Sequence, residues 1–99
     1  MSFTVNLTCP GTRDNKVTIK QDLDLSTGGL NALRNSGTCS LFVGTLDSAN
    51  TVLNDMELIP GAQISHYQPP ANGVIIYAVC NNSCNGTAIL DYDDPDLVA

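Results

Sequence analysis

The chain has 99 residues, enough for one domain with one hydrophobic core and no more. Hydrophobic residues make up 42% and charged residues 14%, which excludes intrinsic disorder and leaves uncharged Asn, Ser, Thr and Gly to keep the surface polar. The formal charge is −6, with Arg13, Lys16, Lys20 and Arg34 as the only cations, so neither a basic track for nucleic acid nor a basic patch for an anionic membrane can be built.

Residues Met1 to Thr8 carry no basic segment and no long apolar run, so a strand is expected there in place of a signal peptide. Phe3, Val5 and Leu7 alternate with Ser2, Thr4, Asn6 and Thr8, the period of a half-buried strand, which Cys9-Pro10-Gly11 ends. Val17, Ile19, Leu23 and Leu25 share one parity and predict a second long strand, bulged near Gln21. Between Ser26 and Gly37, Leu30 and Leu33 stand at helical spacing. A short helix, limited by its glycines and asparagines to a turn or two, or equally an ordered loop, is expected there. Cys39, Leu41 and Val43 predict a strand stopping near Gly44. Thr51 to Ile59 and Ala62 to Gln68 predict two more, divided by Pro60-Gly61, and Pro69-Pro70 then forces an extended link.

Val74 to Cys80 (VIIYAVC) is the most apolar run. Apolar side chains on consecutive positions leave no wet face, which marks the innermost strand. A polar turn follows, and Thr87 to Tyr92, with Ala88, Leu90 and Tyr92 alternating, is expected to form a hairpin with it. These elements predict an all-β fold of about seven strands and at most one short helix, an antiparallel β-sandwich or jelly-roll-like single domain over residues 1–99.

Chemistry is sparse. Cys9, Cys39, Cys80 and Cys84 allow three pairings. With no signal peptide, reduced and buried thiols are expected, and the candidate bridge is Cys80 to Cys84 across the polar turn. The paired knuckles of a zinc site are missing. His66 is the only histidine, Glu57 the only glutamate, and no G-x-S-x-G frame is present, so no catalytic residue, metal or cofactor is expected. Asp91, Asp93, Asp94 and Asp96, with Asp22 and Asp24, supply carboxylates without the ligand order of a calcium loop, and read as a solvated acidic end. The three N-x-S/T triplets carry no weight in a chain this rich in Asn, Ser and Thr. Partner contacts are expected at Phe3, at the ledge of Tyr67, Pro69 and Pro70, and in the tail at Asp93, Asp94 and Pro95, with neighbouring subunits holding the chain ends.

No motif identifies a family. The general build resembles the small β-sandwich proteins that decorate or cement viral particles. That resemblance implies a non-enzymatic structural or assembly protein, made in the cytoplasm and repeated in a virion or other large assembly. Its partners would be proteins, including copies of itself, with neither nucleic acid nor membrane involved. The alternative from another class is a small carbohydrate-binding or adhesin module using Tyr67, Asn72 and the turn from Asn81 to Asn85.

Overall fold

A computed structural model of the chain describes residues 2–9, 16–24, 27–81 and 84–96. Eight strands run through it: β1 (Ser2–Cys9), β2 (Val17–Gln21), β3 (Leu30–Asn35), β4 (Leu41–Leu46), β5 (Val52–Leu58), β6 (Gln63–Tyr67), β7 (Ile75–Cys80) and β8 (Gly86–Asp93). They form two antiparallel four-stranded sheets, ordered β1-β8-β3-β6 and β2-β7-β4-β5. Every connection from β1 through β8 crosses from one sheet to the other except β4–β5, which is a hairpin within one sheet. This interleaved order is that of a jelly roll.

The core lies between the sheets, where alternate residues point inward. Leu7 on β1, Leu90 and Ala88 on β8, Leu30 and Leu33 on β3, Leu41 and Val43 on β4 and Ile76 and Ala78 on β7 form one buried cluster. β7 is flanked by β2 and β4, and the expectation that both its faces leave water is met. Its outer side chains Tyr77 and Val79 are buried in a second cluster with Leu46, against Phe42 and Ile75. Gly44, opposite Tyr77 in the ladder, makes that packing possible. A Cβ there would stand 2.6 Å from Tyr77 Cζ and 2.5 Å from the Asn54 carbonyl oxygen.

Three expectations are corrected by this fold. The stretch expected to be a short helix or an ordered loop contains β3 from Leu30 onward, and supplies the eighth strand. Leu30 and Leu33 are both fully buried although three residues apart. Ala32 reconciles that spacing with a strand: at φ 53° it breaks the alternation, and the ladder to β8 shifts register between Asn31 and Arg34. An apolar pair at i, i+3 therefore arises from a bulge as readily as from a helix. β2 ends at Gln21, short of the expected Leu25, which lies outside the described residues. Its register shift falls between Thr18 and Lys20, close to the expected bulge. Finally, β7 and β8 do not form a hairpin, because β8 crosses to the other sheet and inserts between β1 and β3.

The cysteines follow from that crossover. Cys9 bonds to Cys80, joining β1 to β7 across the sandwich, and Cys39 bonds to Cys84, joining the β3–β4 and β7–β8 connections. Neither reduced thiols nor the Cys80–Cys84 bridge is present. A four-residue loop within one turn is replaced by loops spanning 71 and 45 residues. Beside the bridges, Asn35 is fully buried. Its Nδ2 donates to the Cys39 and Leu58 carbonyls at 2.8 Å each, and its Oδ1 accepts from the Gly37 and Ile89 amides. One side chain thus ties β3 to the start of β4, the end of β5 and β8, and satisfies groups the crossovers would otherwise leave unpaired.

Candidate functional site

The sandwich has two unlike ends. At one end the connections β3–β4, β5–β6 and β7–β8 meet around the disulfides, with Ile59 exposed. At the other end the β2–β3 loop lies between the Pro69-Pro70 link and the segment that follows β8. Gly28 is close to Pro95, and Gly29 to Tyr67, Gln68 and Pro69. Ladder pairs Ser2 to Asp93 and Leu30 to Tyr67 bring the remaining partner-contact residues to the same end. The fold therefore collects Phe3, Tyr67, Pro69, Pro70, Asp93, Asp94 and Pro95 in one region, although they come from three parts of the chain.

Their roles in that region divide. Phe3 is half-buried and stacks on Tyr92 with ring centroids 5.3 Å apart. Pro69 and Pro70 are half-buried and line a shallow recess of about 230 Å³ with Leu23, Asp24, Gln68, Ala71 and Gly73. Asp93 is half-buried, and Pro95 is exposed. Tyr67 and Asp94 are buried, so neither is the exposed contact expected of it. Tyr67 directs its hydroxyl inward, to the Thr45 hydroxyl and to Asn54 Oδ1 at 2.9 Å. Burial holds that phenol above its ordinary value, against the opposing pull of those two hydrogen bonds.

Asp94 belongs to a clasp. Lys20 Nζ donates to Asp94 Oδ1 at 2.8 Å, to Asp96 Oδ2 at 2.6 Å and to the Gly29 carbonyl at 3.0 Å. Asp96 Oδ2 also accepts from the Gly28 amide, and Asp94 Oδ1 from the Asp96 amide. The tail through Asp96 is thus held by its own chain and needs no neighbour to fix it. Residues 97–99 and Met1 lie outside the described residues. Burial disfavours the Lys20 ammonium, but its bonds to Asp94 and Asp96 outweigh that and hold it above its ordinary 10.5. The same Lys20 bond, with the Gly28 amide, holds Asp96 below 3.8. Tyr92 is pushed above its ordinary value by burial and then by the nearby Asp94 charge.

A recess of about 490 Å³ opens here, lined by Ile19, Lys20, Gln21, Asp22, Asp24, Thr27, Asp94 and Asp96. The acids suggest a cation site, and the structure fills it with an ammonium: Lys20 stands between the two tail carboxylates. Among the described residues, no group of three or more His, Cys, Asp or Glu is placed to hold a metal ion. His66 is exposed on β6, its ring nitrogens 2.6 Å from Asn31 Oδ1 and 3.0 Å from Gln68 Oε1. Amides, not carboxylates or hydroxyls, are its polar neighbours.

The residues named for a sugar site are not brought together. Asn72 precedes β7 and Asn81 follows it, so they lie at opposite ends of a six-residue strand roughly 20 Å long. Tyr67 is inside, and Asn82 and Ser83 lie outside the described residues. What sequence reasoning missed was Lys20, placed on the polar row of β2, and Asn35, hidden in the stretch read as a short helix or loop. The Lys20 signal was legible in principle: an isolated cation on a strand in a chain with ten acids. Comparison with protein families, curated proteins and solved structures gave no match for this chain.

Proposed function

We propose that this chain is a non-enzymatic structural or assembly protein, a repeated component of a virion or similar large particle, of the kind that decorates or cements a shell. The observation that carries the reading is where the reactive side chains are spent. Lys20, Asp94, Tyr67, Thr45 and Asn35 are committed to hydrogen bonds that fix loops and tail to the sandwich. What faces outward is long strands, an acidic end and isolated apolar side chains such as Val52, Leu53 and Ile59. Such surfaces bind by shape and by strand edges. Jelly rolls serve as shell domains, an analogy at the level of fold. Two long-range disulfides suit a particle that matures or persists outside a reducing cytoplasm. The net charge of −6 suits an outer surface better than a wall facing nucleic acid.

The test is cosedimentation of the purified chain with particles of its source that lack it. Saturable binding at a fixed number of copies per shell is expected; a chain that stays in the supernatant at every concentration refutes the reading.

A further inference from the structure

We infer that two copies of this chain pair antiparallel through β1, joining their β1-β8-β3-β6 sheets into one continuous eight-stranded sheet; the inference deepens the assembly reading above and rests on it. The two sheets have four edge strands: β1, β6, β2 and β5. A strand edge carries N–H and C=O groups ready to template another strand, and folded proteins blunt such edges with charges, bulges or short length. Three of the four are blunted. β2 breaks register between Thr18 and Lys20 and carries that lysine. β5 carries Asp55 and Glu57, and its ladder to β4 shifts between Thr45 and Leu46. β6 is short, with five residues.

β1 has none of these devices. Its eight residues, SFTVNLTC, contain no charge and no proline, and all eight pair with β8 without a register break. A second copy fits this edge on grounds of charge and of symmetry. Two molecules that each carry −6 repel unless they meet on an uncharged surface, and β1 is one. A two-fold axis centred on Val5 sets Val5 against Val5, Phe3 against Leu7, Thr4 against Asn6 and Ser2 against Thr8. Apolar residues then meet apolar ones on the inner face and polar residues meet polar ones on the outer face. The inner positions still have surface to lose. Phe3 and Val5 are only half-buried, and Val17 on the neighbouring β2 is 38% exposed although its ladder partner Ala78 is in the core. Pairing would carry both cores across the axis.

The experiment is sedimentation velocity of the full chain from micromolar to millimolar concentration, with T4K/N6K as the test variant. Thr4 and Asn6 are exposed in the single subunit, and a lysine at position 4 can still bond Asp91, which the Thr4 hydroxyl reaches at 2.8 Å. Across the two-fold the variant sets lysine against lysine twice, so its dimer dissociation constant should rise about tenfold or more. Q63K/S65K, with the same added charge on the β6 edge, should dimerise as the parent does, and all three chains should melt within a few degrees of one another. A parent that stays monomeric throughout, a T4K/N6K chain that dimerises as tightly as the parent, or an equal loss in Q63K/S65K overturns the pairing. Cosedimentation with particles separates the two claims. A monomer that still binds shells removes the pairing alone, and a β1 dimer that ignores them removes the assembly reading alone.

Discussion

Replacing Cys9 and Cys80 by alanine tests the fold through its longest covalent tie. The bridge closes a 71-residue loop between the two sheets, and the entropy it removes from the unfolded chain corresponds to about 4.4 kcal/mol. The Cys39–Cys84 bridge, over 45 residues, corresponds to about 4.0 kcal/mol by the same relation, whereas a bridge from Cys80 to Cys84 would supply only about 1.9 kcal/mol. For a domain of this size 4 kcal/mol is a large part of total stability, and its loss lowers the melting temperature by roughly 15–30 °C. Differential scanning calorimetry reads that shift. Pairing is read separately, by non-reducing digestion after Arg and Glu. Cuts at Arg13, Arg34 and Glu57 place Cys9 on one peptide, Cys39 on a second, and Cys80 with Cys84 on a third. The fold requires all three peptides to stay linked. A free peptide holding a closed Cys80–Cys84 loop, or a C9A/C80A melt within about 5 °C of the parent, would refute the strand order on which this reasoning rests.

Other substitutions test the interior. N35A removes two donated and two accepted hydrogen bonds at a fully buried position and should cost about 3 kcal/mol or more in urea unfolding. N35D should be worse, because a carboxylate oxygen would face the Cys39 and Leu58 carbonyls. G44A forces Tyr77 and the Asn54 carbonyl to move and should cost about 1–3 kcal/mol; an unchanged melt would show that the outer face of β7 is not packed this way. Stability should also depend on pH at both extremes. Lys20, Tyr67 and Tyr92 all titrate above their ordinary values in the fold, so the stability each contributes is present below about pH 10 and lost as pH rises through the raised values. Asp96 titrates below 3.8, so its contribution is present above that pH and lost as pH falls through the lowered value. K20M should lower the melting temperature at neutral pH and remove part of the alkaline loss. An alkaline profile identical to the parent's would show that the clasp does not form.

How much of this was legible follows from which signals are local. β1 and β7 could be read directly, because alternation and an unbroken apolar run report burial one strand at a time. β3 could not, because Ala32 in the left-handed region shifts the parity between Leu30 and Leu33 and imitates helical spacing. Pairing between strands distant in sequence was also illegible. It decides that β8 leaves β7 for the other sheet, and with that crossover it decides which cysteines meet. Of the candidate site, the sequence marked residues that the fold gathers at one end of the molecule, but not the direction of their side chains. Tyr67 and Asp94 turn inward because Thr45 and Asn54, and Lys20, lie behind them.

The claim that this chain works by surface contact as part of a larger particle is tested most directly by quantifying it in purified particles from its source, by mass spectrometry against a labelled standard. Many copies per particle, in fixed ratio to the shell subunit and resistant to repeated washing, is the predicted result. A chain absent from the particles and recovered only as a free protein would contradict it.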